Sequence, residues 1–120
     1  MSTSHYLIIS SAGPYSGFLP RAALDMALTA AAFEQRVSIV FIGDGVRQLL
    51  KNQDTSALEM KNIGKMIPAL EMYEVNQVCL HKPSALAANI HDEVLIDNID
   101  KIDDSALKQM ISGADHVMVF

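Results

Sequence analysis

The sequence of 120 residues has a single cysteine, Cys79, and few basic side chains. One cysteine excludes an intrachain disulfide and a Cys-x-x-Cys redox pair. Nine Lys and Arg residues stand against fourteen Asp and Glu, which gives a formal net charge of −5. The basic residues form no stripe along the chain, so the sequence predicts no direct binding to nucleic acid.

Long apolar segments and linkers are missing as well. The longest mostly apolar stretch, residues 22–33, is interrupted by Asp25 and Thr29 and is too short to span a membrane. No basic region precedes the short apolar run near the N-terminus, so we expect no signal peptide and a cytoplasmic location. The chain has no repeats and no Gly/Ser/Pro-rich linker, and half of its residues are hydrophobic. Residues 1–120 are therefore predicted to form a single domain with a substantial core.

Continuous apolar runs alternate with helical patterns along the chain. Strands are predicted at residues 5–10, 37–42, 75–81 and 117–120, with a further short strand at 94–96. Helices are predicted at residues 20–35, 45–50, 63–73 and 83–88, and after Asp103 or Asp104, with Gly113 following the last one. Continuous apolar strands joined by helices indicate an α/β fold with a mostly parallel sheet of about five strands and helices on both faces. Ligands of such sheets bind at the carboxyl ends of the strands.

The helix predicted at residues 20–35 is apolar around most of its circumference. Ala23, Ala27 and Ala30 form a strip of small side chains, and a second stripe contains Leu24, Leu28 and Ala31. Because the two stripes are not expected to face the same sheet, one of them is predicted to contact a partner subunit. Ala27 and Ala30 are the candidate interface residues.

The stretch IVFIGDGVRQLL places Gly43, Asp44 and Gly45 between a strand and a helix, as in phosphate-binding loops. A dinucleotide-binding loop needs a third glycine where this chain has Gln48, and the Gly-Lys-Ser/Thr of a Walker loop is absent. Asp44 would also repel a phosphate. We therefore favour an architectural turn, in which Asp44 caps the helix and the glycines permit the bend. A small α/β module that binds a phosphate-bearing ligand is the alternative.

Cys79 and His81 are the candidate catalytic residues. Cys79 lies within an apolar strand, where a free cysteine is more often a core residue than a reactive thiol. His81 lies two residues further along, on the same face, and could assist Cys79 or simply be a polar residue at the strand end. The other histidines lack metal-ligand spacing, and residues 97–104 do not match a calcium loop, so we expect no metal and no cofactor. Sequence order alone supports no Ser-His-Asp arrangement.

Four stretches together resemble one family. They are HYLIIS with the loop SAGPYSG, the helix PRAALDMALTAAAF with Arg21 and Asp25, the stretch IVFIGDGVRQLL, and the short apolar strand that ends at Phe120. Over the whole chain the combination resembles the DsrE/DsrF-like sulfur-relay family, and within it the TusC (DsrF) branch. One departure is Gly17, which lies one place later than in the expected Pro-Tyr-Gly loop.

The resemblance implies a five-stranded α/β domain that works in a heterohexamer, with two copies each of this chain and of TusB/DsrH-like and TusD/DsrE-like partners. Such complexes pass persulfide sulfur to the wobble uridine of transfer RNA, or serve intracellular sulfur oxidation. The family's catalytic cysteine belongs to the TusD/DsrE-like chain, at the end of its third strand, where this chain has His81. A non-catalytic subunit is therefore expected. A stand-alone persulfide carrier that uses Cys79 is the alternative, and the isolated chain could form homo-oligomers.

Overall fold

The computed structural model describes residues 3–13, 17–50, 69–70, 72–91, 95 and 98–120. Its strands are β1 (His5–Ser10), β2 (Arg36–Phe41), β3 (Gln77–His81), β4 (Asp100–Ile102) and β5 (His116–Val119). Its helices are α1 (Leu19–Ala32), a 3₁₀ helix (Gly43–Leu49), α2 (Lys82–Ala87) and α3 (Asp104–Gly113). All the strands pair in parallel in the order β4-β3-β2-β1-β5. The predicted single-domain α/β fold is confirmed.

The sheet carries apolar side chains on both faces, because successive residues of a strand point to opposite sides. On one face, Ile8, Ile39 and Phe41 belong to the larger core cluster, together with buried residues of α1 and the 3₁₀ helix. On the other face, Leu7, Ile9, Val40 and Cys79 form a smaller cluster, against which Leu107, Met110 and Ala114 pack. The continuous apolar runs of the central strands reflect this burial on two sides.

Two strand predictions need correction. The continuous apolar character of residues 117–119 predicts a strand in the interior of the sheet, but β5 is its edge strand, and Val117 and Val119 are exposed. The sequence also predicted no strand at Asp100–Ile102, which forms β4. Of the short strand predicted at residues 94–96, residues 94 and 96 lie outside the described part of the chain, and Leu95 forms an isolated antiparallel bridge with Leu50.

Helix α1 has Pro20 in its first turn, as predicted, but it ends at Ala32 rather than near residue 35. Glu34 adopts a positive φ of 62°, which is incompatible with a continuing right-handed helix. Ala27 and Ala30 are both buried in the chain's own core, whereas Leu28 and Ala31 pack partly buried against the same cluster. The structure therefore leaves Ala27 and Ala30, the predicted interface residues, almost no surface to offer a partner.

Helix α3 begins with the predicted side-chain cap. The Asp103 carboxylate accepts a hydrogen bond of 2.8 Å from the backbone N–H of Ala106. Gly113 is the last residue of this helix rather than the residue that follows it. Most of the helix predicted at residues 63–73 lies outside the described residues, although Leu70 is buried in the larger core cluster.

Candidate functional site at the carboxyl edge of the sheet

The turn after β2 depends on two glycines for different reasons. Gly43 has a φ of +52°, in the left-handed region that favours glycine. Gly45 passes so close to β1 that a Cβ atom would lie 2.1 Å from the backbone oxygen of Ser10. The Gly45 N–H donates a hydrogen bond of 2.8 Å to the Ile42 carbonyl. The turn thus presses the start of the 3₁₀ helix against the end of β1.

Asp44 does not cap this helix, contrary to the prediction. The helix begins at Gly43, and its cap residue, Ile42, makes no side-chain capping hydrogen bond. The Asp44 carboxylate is exposed and lies 3.9 Å from the Arg47 guanidinium. An exposed ion pair at this distance contributes little, on the order of 0.5 kcal/mol or less.

Gln48 occupies the position at which a dinucleotide-binding loop would have its third glycine. Its side chain is fully buried. The amide nitrogen donates hydrogen bonds of 2.8 Å to Ser10 Oγ and 2.9 Å to the Ala12 carbonyl oxygen. The 3₁₀ helix therefore fixes the beginning of the loop that follows β1, through a side chain that a glycine could not replace.

Cys79 faces the smaller core cluster and has no exposed surface. Desolvation by burial raises the pKa of its thiol to about 11, and the nearby negative charge of Asp100 adds to the effect. Asp100 is paired with Cys79 in the register of β3 and β4. A thiol in this environment stays protonated at neutral pH, which opposes a role as nucleophile.

We expect native Cys79 to react with iodoacetamide at least about 100-fold more slowly than the unfolded chain at pH 8, because burial removes both thiolate and access. Thiol labelling with and without urea measures this. Equal rates in the two states would contradict the buried assignment.

Cys79→Ala should cost on the order of 1 kcal/mol of stability, since little volume is lost.

The raised pKa of Cys79 also predicts how stability depends on pH. Above about pH 9 the unfolded thiol ionises while the folded thiol keeps its proton, so the unfolded state binds fewer protons and stability falls as the pH rises. The loss should reach roughly 2 kcal/mol by pH 11. Urea unfolding of the wild type and of Cys79→Ala between pH 8 and 11 isolates this effect, because the variant lacks it.

His81 ends β3 and is hydrogen-bonded through both ring nitrogens. Nδ1 lies 2.6 Å from Ser84 Oγ, and Nε2 lies 2.6 Å from a carboxylate oxygen of Asp104. Ser84 Oγ also accepts a hydrogen bond of 2.9 Å from the backbone N–H of Gly43. These contacts join the carboxyl ends of β2 and β3 to the first turns of α2 and α3.

The sequence pointed to His81 but not to its partners. Asp103 and Asp104 were equivalent candidates for the cap of α3, and the structure uses Asp103 for the cap and Asp104 for the imidazole. Ser84 lies three residues after His81, a spacing at which side chains meet on one helical turn. That spacing was an available signal for the Ser84 contact, whereas Asp104 comes from another element.

The remaining predicted site residues lie on α1. Arg21 Nε is 3.3 Å from the Asp25 carboxylate, one helical turn away, in an exposed pair. The structure does not bring this pair into the hydrogen-bonded cluster around His81. Among the described residues, no group of three or more His, Cys, Asp or Glu side chains could hold a metal ion. None of the helices formed by these residues has the length and apolar character of a membrane span.

Comparison with known proteins identifies the family. The model of the DsrE/DsrF-like family matches residues 4–120. The chain belongs to this family. It is 33% identical to a TusC homologue of Pseudomonas aeruginosa over 112 residues, which cover 93% of this chain and 94% of the relative. It is also 30% identical to a TusC homologue of Aliivibrio fischeri, with coverage of 93% and 95%.

The chain is also similar to a protein named for sulfur oxidation. The intracellular sulfur oxidation protein DsrF of Allochromatium vinosum is 30% identical, with coverage of 96% of this chain and 95% of the relative. Among solved structures, the ychN protein of E. coli superposes with a TM-score of 0.87 and 24% identity, covering 98% of this chain and all of that one. The structural match supports the DsrE/DsrF-like fold with its five-stranded sheet.

Proposed function

We propose that this chain is a non-catalytic subunit of a sulfur-relay complex, in the manner of TusC and DsrF. The observation that carries the proposal is the state of its one cysteine. Cys79 is buried and its pKa is raised to about 11, so the chain offers no reactive thiol for a persulfide. Sulfur would then reside on a cysteine of a partner, and this chain would hold that partner in place.

An exposed apolar edge supports assembly with other chains. Val117 and Val119 lie on the edge strand β5, on the face of the sheet that also carries Leu7 and Ile9. Helix α3 covers this face without burying any of its own residues fully. Exposed apolar edge strands favour association, and monomeric proteins usually protect them with charges. We propose that a TusB/DsrH-like or TusD/DsrE-like chain covers the β5 edge in a heterohexamer with two copies of each chain.

The test is co-expression with TusB- and TusD-like chains of the same organism, followed by size-exclusion chromatography. Wild type should elute with both partners, and Val119→Lys should weaken the association at least about tenfold, because a desolvated, unpaired charge opposes binding. Leu86→Lys is the matched control, since Leu86 on α2 is 65% exposed and Val119 is 66% exposed. A wild-type chain that elutes separately from both partners would refute the proposal. Loss of binding only with Leu86→Lys would move the interface to α2.

For the pathway, we propose support of 2-thiouridine formation at the wobble position of transfer RNA, in line with the TusC homologues. Deletion of the gene should then lower 2-thiouridine in total transfer RNA, measured by mass spectrometry of nucleosides. The similarity to DsrF makes intracellular sulfur oxidation the second candidate. Unchanged 2-thiouridine together with a defect in sulfur oxidation would favour that candidate.

A further inference from the structure

The cluster of Ser84, His81 and Asp104 goes beyond the relay function, which assigns it no chemical role. Its hydrogen-bond directions follow from the donors available. A carboxylate only accepts hydrogen bonds, so Nε2 of His81 must carry the proton shared with Asp104. In the neutral imidazole, Nδ1 is then an acceptor, and the Ser84 hydroxyl donates to it across 2.6 Å.

A second hydrogen bond to Ser84 Oγ helps to fix the orientation of the hydroxyl. Its two lone pairs are the remaining interaction sites of the hydroxyl, and the N–H of Gly43 donates to one of them. Within the described part of the chain, no other hydrogen bond reaches this oxygen, so its second lone pair is open to a carbon electrophile. Ser84 itself is partly exposed, and Gly43 beside it is exposed at the edge of the sheet.

His81 and Asp104 differ in how far their side chains are exposed. The imidazole of His81 is only 14% exposed, so its orientation is held, whereas the Asp104 carboxylate is 71% exposed. A nucleophile, a base within hydrogen-bonding distance and a third group that orients the base form the general pattern of an activated serine. That pattern is recognised by geometry rather than by the order of residues in the sequence.

We propose that Ser84, His81 and Asp104 form a serine-nucleophile site that reacts with small, activated carboxylic esters. Ser84 Oγ forms a bond to the carbonyl carbon while its proton passes to Nδ1 of His81. The ester C–O bond breaks, and the leaving alkoxide takes that proton to depart as an alcohol. Water then attacks the acyl group, again giving a proton to Nδ1, which returns it to Ser84 as the carboxylic acid leaves.

A fluorophosphonate probe tests the nucleophile directly, because it forms a stable adduct with activated serines. We expect peptide mass spectrometry of the full-length protein to place the adduct on Ser84. Asp104→Asn should slow the labelling on the order of 100-fold, since His81 loses the negative charge that holds its reactive tautomer and stabilises the imidazolium formed when it takes the proton. Because the Asp104 side chain is exposed, this substitution should leave folding intact. Substitution of His81, which is mostly buried, would also affect folding.

Asp103→Asn is the matched control for Asp104→Asn, because it removes the same charge from the adjacent residue and asparagine still caps a helix. It should label at the wild-type rate, as should Ser105→Ala, which removes an exposed hydroxyl from the first turn of α3. Folded wild type without an adduct on Ser84, or with equal rates in the two Asn variants, would show that the cluster is only structural.

Turnover is measured with 4-nitrophenyl acetate. The part of the hydrolysis rate that is lost in Ser84→Ala should also be lost in Asp104→Asn and retained in Asp103→Asn. An identical rate of hydrolysis in wild type and Ser84→Ala would overturn the proposal that Ser84 reacts with esters. These assays use the isolated chain and ester probes, so their outcome is independent of whether the chain associates with relay partners.

Discussion

Gly45→Ala should destabilise the protein by about 3–5 kcal/mol, an effect large enough to leave much of the chain unfolded. The added Cβ would lie 2.1 Å from the Ser10 backbone oxygen, and the nearest atoms are all backbone atoms that cannot rotate away. Either β1 or the 3₁₀ helix must shift, and the close packing of the sheet resists both movements. Urea unfolding followed by circular dichroism measures the loss.

Two other glycines provide graded controls. Gly43→Ala should cost about 1–2 kcal/mol, because its φ of +52° is strained for alanine while the added Cβ makes only an ordinary contact. Gly113→Ala should be neutral or slightly stabilising, since nothing lies within 4 Å and the residue is helical. If all three substitutions had similar effects, the close approach of Gly45 to β1 would be contradicted.

Ala27→Glu should be at least as damaging, with an expected loss of about 4 kcal/mol or more. Ala27 is fully buried between α1 and the sheet, so a glutamate there must either carry its charge into the core or push the helix away. Ala30, which is 4% exposed, should respond similarly. The isolated chain is therefore expected to express poorly or to show a greatly reduced unfolding midpoint.

Ala32→Glu is the matched control on the same helix. Ala32 is exposed, so the same substitution should change stability by no more than about 0.5 kcal/mol. Had Ala27 and Ala30 formed the partner interface, Ala27→Glu would spare the isolated chain and impair only assembly. A stable Ala27→Glu monomer would therefore contradict the core assignment and support a position of these alanines at the partner interface.

The strands that the sequence predicted well are those whose environment matches their composition. β1 and β2 are apolar because other strands flank them and both their faces are buried. β5 has the same apolar composition but lies at the edge, and composition does not distinguish burial within one chain from burial against another. β4 has the sequence DKI, and two of its three residues are exposed. It therefore lacks the apolar run from which a strand could be predicted.

Helix α1 shows a related limit. Its two apolar stripes suggested two different neighbours, yet Ala23 and Leu24 from different stripes are both buried in the same core cluster. Small side chains let the helix approach the sheet closely, so a wide arc of its surface is buried on one side. Periodicity gives the direction of each residue around the helix but not how far the core extends around it.

The site was predictable only in part, for reasons of distance along the chain. Cys79 was expected to be a buried core residue from its apolar neighbours alone, and the structure buries it. The contact between His81 and Asp104 joins residues 23 positions apart on different elements, and it depends on how α3 is placed over the sheet. No local pattern contains that information.

Intact-mass spectrometry of the reconstituted complex tests the central claim most directly. This chain, with its TusB- and TusD-like partners, would receive persulfide from a donor protein, and the sulfur on each chain would be measured before and after reduction. The account predicts sulfur that is removable by reductant on a partner chain and none on this one, with unchanged transfer in Cys79→Ala. Persulfide on Cys79, together with loss of transfer in a folded and assembled Cys79→Ala complex, would contradict it.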